Sequence, residues 1–458
     1  MTKHSIHVQN IFDALNDKGD GVRGELKLRC ARLQDRVVSL ARPGDIVAVS
    51  YDCPTLFVQY LLDLMHAQDI MIIRYKCQDR QHGNLMADSV FRSLVTDPNW
   101  DKCKKLRPSV SPYMKSIAIY KAAEAASLEV SEADWKAAKV VQRINDKSEF
   151  YKECEMIGLP IPIYYLAAKA DFVDQAMALL DGKYNSLYVR PTRSGGGVGN
   201  IIIERHNMKY SFQEKSPVTL GRSDFVSRLH TYLHTGLWES FIITELLDLH
   251  ASPGTLFHVD AESVRVLCHT YQILNSHRLF QGFLYPIHDE RITKHFSFIE
   301  RSVCLLADAW RKDGFRGYAN IDWMVDKDGG CSLAEVNPRQ TAVVPPLSLI
   351  RSIADWHYAE NTFVPSGIGI ITKDYVKLQR KMTFDHAYQI FKKAKLLIEQ
   401  RDFSEGVVIT MPPFQGSLIN SIGIMAVAQD VSSAHEIYDS ALQVLDSPEG
   451  ELLFEFPR

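Results

Sequence analysis

Residues 317–346 read GYANIDWMVDKDGGCSLAEVNPRQTAVVPP. Alternation around Ile321, Trp323 and Val325 gives one strand, Asp328-Gly329-Gly330 punctuates a tight turn, and Ser332 to Val336, with Leu333 and Val336 apolar, gives a second. Asp322 then lies beside Glu335 and Asn337 at the end of the second strand. Two carboxylates and one amide, with no Cys or His among them, are hard oxygen donors that suit Mg²⁺ rather than zinc. Arg339 follows Asn337 closely enough to hold an anion that such a metal also touches. Taken singly, an acid at a strand end is a solvated acid; the run Glu335-Val336-Asn337-Pro338-Arg339 after an Asp-bearing strand is much rarer, and it reads as a site for phosphate chemistry.

This stretch resembles the metal-binding hairpin of the ATP-grasp superfamily. The resemblance implies that Asp322, Glu335 and Asn337 hold one or two Mg²⁺ ions, with Mn²⁺ as the alternative, on the phosphates of ATP. It also implies that Arg339 is the catalytic residue that steadies an acyl-phosphate intermediate.

A chain of 458 residues, 46% hydrophobic and 23% charged, buries a sizeable core and is long enough for roughly three domains. A formal net charge of −3 gives no reason to expect a nucleic acid or an acidic membrane surface as partner. The eight cysteines are scattered singly, with no CxxC spacing, and read as reduced thiols of a cytoplasmic protein. The first twenty residues carry no apolar signal region, and no later run reaches about 18 apolar residues, so neither a secretory leader nor a membrane span is expected.

Residues 1–140 read as an open α/β unit. After a polar start expected to be helical, Ile46 to Ser50 is a buried strand, Thr55 to His66 an amphipathic helix, and Ile70 to Arg74 a second strand. Strand, helix, strand at this spacing is a βαβ crossover with a parallel sheet. Tyr51 and Asp52, in the loop after the first of these strands, are candidates for a substrate wall, or a plain helix-capping turn. No Gly-x-Gly-x-x-Gly follows, which argues against a dinucleotide, and residues 113–144 look helical.

Asn145-Asp146 caps a helix running to Ile157. Leu187 to Arg190 and Ile201 to Glu204 are strands flanking Pro191-Thr192-Arg193-Ser194-Gly195-Gly196-Gly197-Val198-Gly199. Three consecutive glycines exceed what a turn needs. They let backbone N–H groups approach phosphate oxygens, with Ser194 adding a hydroxyl donor and Arg190 a fixed charge. The string from Asn145 to Pro162 resembles the start of an ATP-grasp nucleotide domain, which implies a phosphate contact for Lys147; alone, Lys147 would be a solvated charge. The superfamily places a Lys where this chain has Arg190, a cation that still pairs with phosphate. Phe241 to Leu246 resembles the strand at the hinge, which implies adenine contacts from Glu245 and the backbone at Leu247, and a ribose contact from Asp248.

His250 to Asp260 and Val264 to Leu274 are further strands, and Ile299 to Lys312 is a helix before the hairpin. His269 and Gln272 fit the buried alternation poorly, which hints at a cavity, although a satisfied core His is the default for His269. Ser252-Pro253, His269 to Leu274, Gln281-Gly282 and Pro286 resemble the pheganomycin-type peptide ligase group. That group carries a Gly- and Thr-rich run after the Arg, whereas this chain has Gln340 to Pro346, so substrate identity does not transfer. Residues 361–458 alternate strands (Gly367 to Thr372, Gly406 to Met411, Gly423 to Ala428) with helices (Thr383 to Gln400, and one capped by Ser432-Ser433) and carry no recognisable chemistry.

The expectation is therefore a mixed α/β protein: an ATP-grasp fold over 141–360, preceded by a Rossmann-like pre-ATP-grasp domain over 1–140 and followed by a small α+β domain over 361–458. The expected activity is ADP-forming ligation of a small-molecule carboxylate to an amine, an amino acid or short peptide among them. A small-molecule kinase and a catalytically silent nucleotide-binding regulator are the alternatives, and a homodimer is left open.

Overall fold

Runs of β-branched residues bounded by turn punctuation lay down the first sheet. The computed structural model describes residues 4–11, 13, 33–67, 69–75, 87–132, 134–207, 209–213, 217–235, 238–276, 278–353, 367–399, 405–415 and 420–445. Strands β1 (Ser5–Val8), β2 (Ile46–Ser50), β3 (Met71–Tyr75), β4 (Ser109–Pro112) and β5 (Glu129–Val130) pair in the order β3-β2-β1-β4-β5, all parallel. The helix Thr55–Leu64 makes the crossover from β2 to β3, as the sequence pattern predicts. The polar start of the chain falls largely outside the described residues; its described part holds the strand Ser5–Val8 and the 3₁₀ helix Gln34–Leu40. Ser5–Val8 is the central strand, recruited by pairing on both sides rather than by its own four residues. Residues 113–144 hold two helices, Ile117–Ala125 and Lys136–Ile144, with β5 between them.

Strands β6 (Tyr164–Ala168), β7 (Ser186–Pro191), β8 (Ile201–His206), β9 (Lys209–Gln213), β10 (Pro217–Leu220) and β11 (Ser240–Glu245) form an antiparallel sheet ordered β10-β9-β8-β7-β11-β6. Helices Phe172–Gly182 and Arg222–Thr235 cover one face through Phe172, Leu180, Phe225 and Leu229.

The third sheet is the largest. Strands β12 (Leu249–Ala251), β13 (Pro253–Val259), β14 (Val264–Leu274), β15 (Phe280–Tyr285), β16 (Gly317–Asp326), β18 (Gly369–Lys377), β20 (Asn420–Ala428) and β19 (Gly406–Gln415) run in the order β12-β16-β13-β14-β15-β18-β20-β19, with β17 (Cys331–Asn337) paired to β16. Pairing of β15 with β18 makes the C-terminal strands a continuation of the sheet that carries the hairpin. The helix expected from Thr383 stops at Lys393, and the chain then forms a bridge from Leu397 to Val407. One apolar cluster joins Phe57 and Leu61 of the first unit to Phe384, Ile424 and Val407 of the last, with Phe57 and Phe384 edge to face at 5.5 Å. Among the described residues no helix is long and apolar enough to cross a membrane.

The β15–β18 seam depends on one glycine. A Cβ at Gly282 would lie 1.8 Å from the backbone oxygen of Thr372, so no side-chain rotation relieves the clash. Gly282→Ala is expected to cost about 2 kcal/mol or more. Thermal unfolding checks this against Gly182→Ala, a helix-end glycine with nothing within 4 Å, which should melt with the parent protein.

Candidate active site

The hairpin sets the register of the site. In the β16–β17 pair Asp322 stands opposite Glu335 and Asn320 opposite Asn337, with a bulge after Asp322. Ile321, Trp323 and Val336 of the same strands are buried, so the period of two turns Asn320 and Asp322, and their partners across the ladder, to the other face.

Three amides converge on one carboxylate. Asp322 Oδ1 accepts from Gln272 Nε2 at 2.5 Å and Asn320 Nδ2 at 2.6 Å, and Oδ2 accepts from Asn337 Nδ2 at 2.9 Å. Gln272 lies on β14, two strands from Asp322, and reaches it across Gly254 of β13. A Cβ at Gly254 would come within 3.2 Å of Gln272 Nε2 and 3.3 Å of Asn320 Nδ2, so the glycine keeps that path open.

Glu335 has a different company. Lys147 Nζ lies 3.6 Å and Arg190 Nη1 4.0 Å from its Oε2. Lys147 opens the helix Lys147–Met156, whose N-cap Asp146 accepts from Ser148 N–H. Its ammonium is buried, and it donates to the Ser194 carbonyl at 2.7 Å. Arg190 on β7 donates to the Ala334 carbonyl at 3.1 Å and to the Tyr151 hydroxyl at 2.6 Å. Arg339 donates to Asn145 Oδ1 at 2.9 Å and, closely, to Asn337 Oδ1.

These neighbours split the two acids. Burial and then the charge of Glu335 push the Asp322 carboxyl up to about 8. Burial also works to raise Glu335, but the charges of Lys147, Arg190 and Arg339 outweigh it and hold this carboxyl below its ordinary value. Burial lowers Lys147, against the pull of Glu335.

Asp322, Glu335, Asn337, Arg190 and Arg339 line a cavity of about 390 Å³, together with Gly196 and Gly197 of the glycine loop and Glu245 and Leu247 after β11. Gly196, Gly197 and Gly199 have φ of 62°, 75° and 77°, a region that L side chains rarely adopt. Other expected residues fall elsewhere. Ser194 and Gly195 are buried beneath the loop, and the Ser194 hydroxyl donates to the Pro191 carbonyl at 3.4 Å rather than into the cavity. Asp248 follows Leu247 but is not itself part of the cavity wall; its carboxylate, 73% exposed, pairs with Lys327 at 2.6 Å. Tyr51 and Asp52 are exposed and stand apart from the cavity. His269 bonds Thr255 and Glu300 and stacks on Phe296, while Gln272 faces the cavity.

Sequence reasoning missed Asn320, Arg278 and Tyr188. Asn320 could have been found, since it precedes Asp322 by one strand period. Arg278 sits in the turn between β14 and β15, donates to the Leu247 carbonyl at 2.5 Å and lies 5.9 Å from the Tyr188 ring centroid, with Arg190 at 5.5 Å from the same ring. Nothing local in its sequence marks it.

Among the described residues no group of three or more His, Cys, Asp and Glu is placed to hold an ion. What is present is a facing pair of half-buried carboxylates plus an amide, which fits a hard divalent cation at Asp322 and Glu335. Asn337 would join once its oxygen leaves Arg339.

No family model matches the sequence, and no curated protein matches it. The six-stranded antiparallel sheet and the large sheet with its hairpin, closing on one cavity behind a parallel α/β unit, form the ATP-grasp fold. Its solved likenesses include N5-carboxyaminoimidazole ribonucleotide synthetase in complex with ADP, with 12% identity over 97% of this chain and 99% of that one and a TM-score of 0.55. Biotin carboxylase from Campylobacter jejuni, in complex with beta-gamma-ATP, shares 12% identity over 96% of this chain and 90% of that one, with a TM-score of 0.57. An L-amino acid ligase from Bacillus licheniformis shares 12% identity over 96% and 97%, with a TM-score of 0.52. At such identities the likeness is one of fold.

The split acids give a pH signature. Without divalent cation, native Asp322 keeps a proton that the unfolded chain releases near 3.8, so the stability it contributes is full below that value and is lost as pH rises through about 8. Denaturant melts in chelator should show the protein losing stability between about pH 5 and pH 8 relative to Asp322→Asn, which lacks this titration. Parallel curves would remove the assignment.

Proposed function

We propose that the protein is an ATP-dependent ligase that joins a small-molecule carboxylate to an amine and releases ADP and phosphate. The observation that carries this is the Asp322–Glu335 pair, set against Lys147, Arg190 and Arg339 on the wall of a cavity that also reaches the glycine loop and the strand end at Glu245. The ADP and ATP of the similar structures belong to those proteins, and their transfer to this cavity is part of the proposal.

In this reading the backbone of Gly196 and Gly197, with Arg190 and Arg278, takes the phosphates, and Glu245 and Leu247 take the base. Lys147, buried beneath the loop, fixes Glu335 and the Ser194 carbonyl, and so positions the cradle. Asp322 and Glu335, joined by Asn337, would hold one or two Mg²⁺ or Mn²⁺ ions, which supply charge neutralisation on the phosphoryl group. A substrate carboxylate oxygen attacks the γ-phosphorus and the bond to the β-phosphate oxygen breaks. The amine nitrogen then attacks the acyl carbon, phosphate leaves, and the nitrogen gives up its proton. Arg339, with a planar fork of donors, suits the acyl phosphate. No nucleophilic Ser or Cys is needed, because positioning and electrostatics do the work. Domain bounds of 1–140, 141–360 and 361–458 belong to the same proposal.

A phosphate-release screen of amino acids and short peptides, offered singly and in pairs, tests it. Release with an acid and an amine together supports ligation, release with one acceptor alone makes the protein a kinase, and none at all makes it a silent binder. Where turnover is found, Glu335→Gln should cut it by at least about a hundredfold while circular dichroism shows an intact fold. Arg339→Lys keeps the charge and loses the fork. It should slow ADP formation while calorimetry finds ATP affinity within a few fold, whereas an Arg that merely braces the hairpin would lose melting temperature and ATP affinity together.

A further inference from the structure

Part of the cavity wall has no place in the reaction as assigned so far, and it joins the first unit to a strand of the hairpin's own sheet. Arg36, on the 3₁₀ turn Gln34–Leu40, and Asp374, on β18, both line it. They are 338 residues apart in sequence, and Arg36 Nη1 donates to Asp374 Oδ2 at 3.0 Å. Both are buried, at 3% and 5% exposure. The apolar cluster that joins the first unit to the C-terminal strands holds the two elements in place.

This pair is under-used. Arg36 carries five N–H donors, and among the described residues its Nε is buried without a partner. Thr341 Oγ1, on the same cavity wall, is also buried without one. A buried ion pair gains only when its remaining hydrogen-bonding capacity is met, so this one is incomplete by itself. The capacity borders the cavity, and the surfaces beside it, Ile11, Leu33 and Val343, are apolar.

Charge decides what could complete it. Arg36 and Asp374 together are neutral, so a lone anion would meet Asp374 as a like charge and a lone cation would meet Arg36. A ligand that carries both signs a few bonds apart satisfies both. We propose that Arg36 and Asp374 seat the amine substrate as a free α-amino acid, its carboxylate on the Arg36 guanidinium, its amino group on Asp374 and its side chain against the apolar wall. The role as amine substrate rests on the ligase reading; the binding of the zwitterion does not.

The test is binding to the full chain with a non-hydrolysable ATP analogue and Mg²⁺ present. The twenty common L-amino acids are the probes, each beside its C-amide and its N-acetyl derivative. At least one free amino acid should bind, at least about tenfold tighter than either of its capped forms. Arg36→Lys should lose the discrimination against the amide, and Asp374→Asn that against the N-acetyl form. Failure of all twenty to bind, equal affinity of free and capped forms, or folded variants that keep the parent's discrimination would each overturn the proposal. If a variant does not fold, the comparison of free and capped ligands on the parent protein decides alone. ADP formation in the same preparation separates the two ideas. Selective binding without ADP from any pair sinks the ligase reading and leaves this subsite, and ADP formation without a capping penalty does the reverse.

Discussion

The half-buried Glu335 carboxylate is the constraint on which the site is built. It draws Lys147 from a helix start, Arg190 from β7 and Arg339 from the segment after β17 to one point. Lys147, Arg190 and Arg339 are themselves buried cations, tolerable only when paired, so each of these elements is held where the others need it. Asp322, directly across the ladder, has amides in place of cations, and the two acids therefore differ in protonation though they stand opposite one another. One full negative charge and one that is easily neutralised would, in the proposed function, suit a single cation.

Geometry around that pair is set by small residues as much as by charged ones. Gly254 leaves the path by which Gln272 reaches Asp322 over an intervening strand, and Gly282 lets β15 and β18 close together. The second of these contacts brings the C-terminal strands into the hairpin's sheet. The same seam, with the apolar cluster around Phe57 and Phe384, carries Asp374 to the cavity and Arg36 to Asp374. Packing far from the hairpin thus determines part of what the cavity can hold.

Arg190 is braced where the sequence resemblance would place a Lys. Its guanidinium is longer than an ammonium stem and needs more partners, and the structure supplies the Ala334 carbonyl and the Tyr151 hydroxyl. Tyr188 lies against it and against Arg278, so two cations share one ring beside the glycine loop. The cradle keeps its positive charge with a stiffer, more heavily braced group.

The hairpin's register, the face shared by Asp322 and Glu335, the glycine loop and the βαβ unit were all legible from the sequence, because each follows from a backbone period of two or 3.6 and from turn residues within a few positions. Asn320 was within reach of the same rule. The central strand Ser5–Val8 was not, since four residues with no punctuation become a strand only when neighbours pair on both sides. Asp248 reads like its neighbours at a strand end, yet its exposed carboxylate pairs with Lys327, a partner 79 positions away. Arg278 and the Arg36–Asp374 pair leave no local mark whatever, the latter joining residues 338 positions apart. Periodicity is a property of a few consecutive peptides and is written in them. Which distant side chains meet is decided by how the sheets close and which apolar faces bury one another, and that exists only in the folded whole.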